Sequence, residues 1–248
     1  MQILSDNNMR IKTYSKLKQK KYRQKMSLYV LEGLRSCSDA LKDKIPIETT
    51  FCTEELFEWA NALNFPNIEV VSQRAICELS DTVTPQGIVC ICKQPNMDFG
   101  VAKGNSLILD NIQDPGNLGT LIRSAVAFGF DDIYLIKTVD LFNEKVVRSS
   151  MSAISKANFH NCTYEQVEKN KIDVCDIMLV GDMDGEDIRN FKKSNVRYAI
   201  VIGNEGNGVN DILLRTSDKV VKIQIKNIES LNASIAGSIL MYELNKGE

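Results

Sequence analysis

Residues 110–129 read DNIQDPGNLGTLIRSAVAFG, and this stretch decides the fold. It follows SLILD (106–110), an apolar strand, and passes through an Asp-Pro-Gly turn into a helix. Leu118, Leu121, Ile122 and Ala125 fall at i, i+3, i+4 and i+7, which makes one apolar stripe. Arg123 lies off that stripe and is free to face a site or solvent. Further along, DIYLI (132–136), DIMLVGD (176–182), RYAIVIGNEGNG (197–208) and DKVVKIQI (218–225) read as strands with their loops. EKVVRSSMSAIS (144–155) and LNASIAGSILMYEL (231–244) read as helices. Near-continuous Ile/Val/Leu strands alternating with helices predict an α/β fold with a parallel sheet covered on both faces.

Upstream, the pattern is shorter and more mixed. LYVLEG (28–33), IETTFC (47–52), NIEVV (67–71) and GIVCIC (87–92) read as strands. LRSCSDALK (34–42), TEELFEWANAL (53–63, with Thr53 as N-cap) and SQRAICELSD (72–81) read as helices. This predicts a small α/β domain over residues 1–93. Residues 94–104 hold Pro95, Gly100 and Gly104, lack periodicity and read as a linker. Residues 105–248 form the second domain.

The 248 residues carry 30 Lys+Arg and 32 Asp+Glu, a formal charge of −2. That balance hides an uneven distribution. Residues 10–25 hold Arg10, Lys12, Lys16, Lys18, Lys20, Lys21, Arg23 and Lys25 and no acid. The rest of the chain is correspondingly acidic. Tyr14 and Tyr22 are interleaved with the block, which fits a segment laid on phosphates with rings free to stack. A solvated helix face fits the same residues equally well.

No apolar run approaches the roughly 20 residues of a membrane-spanning helix. MQILSDNNMRIK lacks the apolar core of a signal peptide, so a soluble cytoplasmic protein is expected. Seven cysteines without a Cys-x-x-Cys pair argue against a disulfide framework or a zinc ribbon. Cys90 and Cys92 alternate within GIVCIC and read as buried thiols. His160 is the only histidine; it reads as structural and leaves little material for a metal site or a His-based triad.

Three loops at strand ends concentrate Gly, Asn and Ser: residues 110–119, 203–208 and 226–232. Ligands of open α/β sheets bind at such ends. The order Gly203–Gly206–Gly208 reverses the dinucleotide fingerprint, and no phosphate-binding G-x-x-x-x-G-K-[S/T] is present. One such loop is ordinary turn chemistry; three, with Arg123 after the first and Glu205 inside the second, point to a site.

DNIQDPGNLGTLIRSAVAFG, IVIGNEGNGV and IESLNASIAGSILMYE, in that order, resemble the three motifs of the SpoU (TrmH) family of RNA ribose 2′-O-methyltransferases, within the SPOUT superfamily. The resemblance covers roughly residues 105–245. The basic start, LYVLEG and LSDTVTPQGIVCI resemble the family's ribosomal-protein-like RNA-binding domain. The resemblance implies a C-terminal trefoil knot, S-adenosylmethionine as cofactor, a homodimer, structured RNA (ribosomal or transfer) as substrate, and no metal. It implies catalytic roles for Asn117, Arg123, Glu205, Ser230 and Asn232. It implies a cofactor pocket of Val180, Gly181, Ile202, Gly203, Gly208, Ile223, Ile225 and Leu231, and RNA contact by the eight bases of 10–25.

Arg123 would either take the proton of the ribose 2′-hydroxyl or stay cationic and stabilise the alkoxide; arginine is otherwise always protonated. Glu205 would hold the arginine or order its loop. Ser230 and Asn232 would bond substrate, cofactor or partner subunit, with Ser230 also a plausible cap of the last helix. Two departures stand out. Gln224 replaces the family's proline in a loop one residue short, and Ser152 replaces glycine in Ser150-Met151-Ser152-Ala153. The expected function is RNA 2′-O-methylation; the alternative is a non-catalytic RNA-binding or ribosome assembly factor that retains the fold.

Overall fold

A computed structural model describes residues 4–245. The chain divides into two compact units: the residues up to Pro95 together with Phe142–Ser155, and Asn96–Leu141 together with the residues from Lys156 on. The segment 142–155 thus joins the first unit, whereas the sequence reading counts it within 105–248.

The first unit begins with α1 (Met9–Tyr14), a short 3-10 turn (Ser15–Lys18) and α2 (Lys20–Met26). Then follow β1 (Leu28–Glu32), α3 (Leu34–Lys42), β2 (Ile47–Cys52), α4 (Glu54–Ala62), β3 (Ile68–Val70), α5 (Gln73–Leu79) and β4 (Ile88–Lys93). The strands lie in the order β1-β4-β2-β3. β4 is antiparallel to both neighbours, and β2 is parallel to β3. Ser72 caps α5 through its hydroxyl, which accepts from Ala75 N. Thr53 stands at the N-cap of α4 but makes no side-chain cap bond.

The basic block is part of this core, not an arm beside it. Ile11, Tyr14 and Leu17 are buried with Phe51, Ile76 and Ile91, each such side chain contributing about 1.5–3 kcal/mol. Tyr14 meets Phe51 edge-on at 5.7 Å, so its ring is not free to stack on a base. Cys37, Cys52, Cys90 and Cys92 are buried free thiols. Burial, with Cys90 nearby, pushes Cys52 up to about 11, which keeps it protonated and unreactive.

The second unit opens with residues 96–105, which form no regular element yet are fastened to it. Tyr134 Oη donates to the Gly100 carbonyl at 2.7 Å, and Asn161 N donates to the Met97 carbonyl at 2.7 Å. His160 stacks on Tyr134 at 4.6 Å, and its ring nitrogens meet the Asp98 carbonyl at 3.1 Å and Asp132 Oδ1 at 3.2 Å. Its role here is structural. Burial opposes its charge, but Asp132 and the Asp98 carbonyl together hold its pKa above the ordinary histidine value.

Next come β5 (Ser106–Asp110), α6 (Pro115–Ala127) and β6 (Asp132–Ile136). α7 (Glu144–Ser149) lies in the first unit. The helix expected over 144–155 stops there, because Met151 and Ser152 take left-handed conformations at φ 49° and 69°. The second unit resumes with β7 (Asn158–Asn161), α8 (Tyr164–Lys169), α9 (Lys171–Val174), β8 (Ile177–Asp187), β9 (Tyr198–Ile202), α10 (Asp211–Thr216), β10 (Lys219–Lys222) and α11 (Ala233–Leu244). Its six strands run β10-β8-β9-β5-β6-β7, all parallel. α8 was not anticipated, although Thr163 and Gln166 form a capping box at its start.

The chain leaves β5 toward β6 and β7 on one side, and β9 and β8 lie on the other. The carboxyl ends of β5 and β9 therefore flank a topological switch point, where an open parallel sheet leaves a crevice.

Candidate active site

α6 brings the first loop into position. Pro115 sits at its start, and the Asp114 side chain caps it by accepting from Asn117 N at 2.8 Å. Leu118, Leu121, Ile122 and Ala125 are fully buried, as the stripe predicts. α11 crosses closely over α6: a Cβ on Gly237 would strike Leu121, and Ser124 Oγ lies 2.7 Å from Ser238 Oγ. The close approach needs a glycine at this crossing.

The second loop is tied to the first. Asn204 Nδ2 donates to the Asn111 carbonyl at 3.1 Å, and its Oδ1 accepts from Gly206 N and Asn207 N. Asn210 N donates to Asp110 Oδ2 at 2.7 Å, and Tyr164 Oη donates to Asp110 Oδ1 at 2.8 Å. Burial and the Asp110 carboxylate push Tyr164 up to about 12, so it remains a donor. Within the loop, Asn204 and Gly208 exchange backbone hydrogen bonds. A side chain on Gly203 would strike the Gly208 carbonyl, so the loop closes only over glycine.

The third loop joins both through one amide. Asn117 Nδ2 donates to Glu205 Oε1, and Asn232 Nδ2 donates to Asn117 Oδ1 at 3.0 Å. The three motifs thus meet in a chain Glu205–Asn117–Asn232. Asn232, not Ser230, caps α11: its Oδ1 accepts from Ser234 N at 2.9 Å and Ile235 N at 3.3 Å. Ser230 is exposed and lines the neighbouring cavity. Arg123 is exposed on α6 and makes no hydrogen bond or ion pair among the described residues. The Glu205 carboxylate therefore holds Asn117 and not Arg123.

A cavity of about 300 Å³ opens at the carboxyl ends of β8, β9 and β10. Gly181, Ile202, Gly203, Gly208, Ile223, Ile225 and Leu231 line it, together with Glu205 and Ser230. Val180 does not: it is fully buried in the core with Ile108 and Val201. Its side chain packs into the core one residue before the segment Gly181–Met183 that reaches the cavity. Gln224 is exposed and does not line the cavity, so the departure at that position leaves its wall formed by Ile223 and Ile225. Asp182, Met183, Lys222 and Leu240 also line it and were not anticipated. Among the described residues, no group of three His, Cys, Asp or Glu side chains is placed to hold a metal.

The basic block divides. Lys12, Lys16, Lys18, Lys20, Lys21 and Lys25 are exposed. Lys16 and Lys21 flank the Tyr22 ring, 5.8 and 4.9 Å from its centroid. Arg10 pairs with Glu69 and donates to Thr49 Oγ1 at 3.0 Å. Arg23 is withdrawn from any RNA contact: it is 3% exposed, and its Nη1 donates to the Leu17 and Lys18 carbonyls at 2.7 and 3.0 Å. Glu144 lies 3.5 Å from the same nitrogen, so the charge is buried with a partner.

The profile of the SpoU rRNA methylase family matches residues 104–242. That of the MRM3-like substrate-binding domain matches residues 8–90. A Bacillus subtilis protein named 23S rRNA (guanosine(2553)-2′-O)-methyltransferase RlmP is 30% identical over 250 residues, covering 98% of each chain. The structure of an AdoMet-bound rRNA methyltransferase from Sinorhizobium meliloti superposes with a TM-score of 0.87 at 26% identity, over 98% of each chain. The fold is shared with the SpoU methyltransferase AviRb from Streptomyces viridochromogenes, with a TM-score of 0.86 at 23% identity over 97% of this chain and 98% of that one. The three motifs joined through Asn117 beside a strand-end cavity, the family match over residues 104–242 and the full-length likeness to RlmP make this chain a member of the SpoU rRNA methylase family.

Proposed function

We propose that this protein transfers the methyl group of S-adenosylmethionine to a ribose 2′-hydroxyl of ribosomal RNA. The observation that carries this reading is the cavity at the ends of β8, β9 and β10, bordered by the Glu205–Asn117–Asn232 chain. Its residues fit the cofactor. A volume of about 300 Å³ lies within the range of small-molecule pockets. Ile202, Ile223, Ile225 and Leu231 offer apolar faces for a flat base. Glu205 and Asp182 suit a ligand with net positive charge. When bound there, S-adenosylmethionine supplies an electrophilic methyl on a sulfonium.

The chain's own residues do the remaining work. The isoleucines and Leu231 give the cavity an apolar wall that would exclude water from a bound cofactor. Asn117 fixes Glu205 at the cavity edge, and Asn232 fixes Asn117. Arg123 offers a free guanidinium on α6; it takes an RNA phosphate bidentately and stabilises the 2′-oxygen as the hydroxyl proton passes to solvent water. The full-length likeness to a protein named for 23S rRNA favours ribosomal over transfer RNA. A cytoplasmic location is part of this reading.

The first unit, residues 1–93 in the sequence reading, holds structured RNA, with the six exposed lysines of 12–25 on the phosphates. The second carries the methyltransferase, and residues 96–104, expected as a linker, are fastened to it. The path from β9 through β10 and residues 223–232 to α11 is taken as the trefoil knot of the family. Ile235 and Tyr242 stand exposed on α11 and supply an apolar stripe for a homodimer contact.

The test is incubation with tritiated S-adenosylmethionine and RNA from a strain lacking the protein, followed by mapping of the label. Label on one ribose 2′-oxygen is expected. Label on a base contradicts the reaction. No incorporation together with no cofactor binding supports the assembly-factor alternative.

A further inference from the structure

Asp182 is the acceptor in the cavity that the family motifs do not account for. It follows Gly181 on β8, at the carboxyl end of the part paired with β9, and it lines the cavity. Its Oδ1 accepts the Asp184 N–H at 3.0 Å, a local turn that fixes the carboxylate. Its Oδ2 has no partner among the described residues. That oxygen faces the glycine loop: it lies 3.9 Å from where a Cβ on Gly208 would stand, and no other atom comes within 4 Å of that point.

The other carboxylate and the amide of the wall are already engaged, and Ser230 lines it as an exposed hydroxyl. Glu205 is held by Asn117, and Asn204 has its oxygen and its nitrogen both bonded within the loops. Lys222 lines the same cavity without pairing to Asp182. A fixed carboxylate with one open oxygen, beside an apolar wall sized for a base, presents an acceptor where a nucleoside's sugar joins its base. An acid just beyond a parallel strand takes ribose hydroxyls in other nucleotide-binding α/β sheets.

We propose that Asp182 reads the ribose of the cofactor, its Oδ2 accepting from the vicinal hydroxyls. This rests on the assignment of the cavity to S-adenosylmethionine. It makes Asp182 a specificity residue for the ribonucleoside rather than for the methyl group.

Calorimetry with S-adenosylhomocysteine and its 2′,3′-dideoxy analogue tests it, on the wild type and on Asp182→Ala. The wild type prefers the hydroxylated ligand by about tenfold to a hundredfold, the value of a hydrogen bond to a charged group. Asp182→Ala loses that factor for S-adenosylhomocysteine and binds the two ligands alike. The ratio of two affinities on one protein does not depend on its folded fraction. A variant that keeps the wild-type preference overturns the assignment. So does a variant that weakens S-adenosylmethionine much more than S-adenosylhomocysteine with the preference intact, because the carboxylate then reads the sulfonium. Wild-type protein that binds none of these ligands overturns the cofactor reading itself.

Discussion

The two units place their functional residues in opposite ways. In the second unit the site is built from backbone and amides: Gly203 closes a loop over Gly208, Asn204 ties that loop to Asn111, and Asn117 joins Glu205 to Asn232. In the first unit the functional reading rests on charge, and lysines face outward from the same short helices whose Ile11, Tyr14 and Leu17 enter the core. A site made of close backbone approaches fails when one atom is added. A surface made of repeated charges loses affinity gradually.

Gly203→Ala breaks the first half of that contrast and has the largest expected effect. The added methyl meets the Gly208 carbonyl, so the loop must shift and the cavity wall with it. S-adenosylmethionine affinity falls by about a hundredfold, from a steric cost of roughly 1–3 kcal/mol; calorimetry reads the loss. Unchanged binding means that the loop does not form the cavity wall.

Changing Lys16, Lys18, Lys20 and Lys21 together to Gln tests the other half. RNA affinity falls, and the slope of log affinity against log salt becomes shallower by roughly 3. Cofactor binding does not move. Unchanged RNA affinity makes the block a solvated face. Deletion of the segment is a poorer test, because it removes Ile11, Tyr14 and Leu17 from the core.

Smaller effects sharpen the comparison at two strained or titrating points. Ser152 sits at φ 69°, a conformation that favours glycine, with its hydroxyl buried and without a partner among the described residues. Ser152→Gly raises stability by about 1 kcal/mol, seen as a higher denaturant midpoint. His160 is the only histidine, so its ring gives one NMR titration curve. Both its nitrogens face acceptor oxygens, and its folded pKa is raised. Its contribution to stability is complete below the ordinary histidine range and is lost as pH rises through the folded pKa. A pKa at or below that range contradicts the clamp on residues 96–103.

Much of the second unit could be read in the sequence because its signals are local. The stripe of α6, the strands and the three amide-rich loops each fall within one short segment. What failed was non-local or degenerate. Arg23 looked like its neighbouring lysines, and the carboxylate that keeps it buried, Glu144, lies far along the chain. The sequence favours Ser230 over Asn232 as the cap of the last helix, whereas the cap is Asn232; both residue types cap well, so composition is a poor guide between them. Val180 stands one residue short of the segment Gly181–Met183 that lines the cavity, a boundary that no local pattern marks. Asp182 carried no motif; only the closing of the glycine loop above it marks its open oxygen.

In the proposed mechanism, cofactor binding and chemistry reside in separable residues, with Arg123 serving only the second. The direct measurement is Arg123→Ala, followed by calorimetry with S-adenosylmethionine and by methyl transfer to RNA. Arg123 stands outside the cavity wall, so affinity for S-adenosylmethionine is expected to stay at the wild-type value. Methyl transfer is expected to fall by at least about a hundredfold, the usual loss when a charge-stabilising donor is removed. A variant that methylates ribose at the wild-type rate would contradict the account.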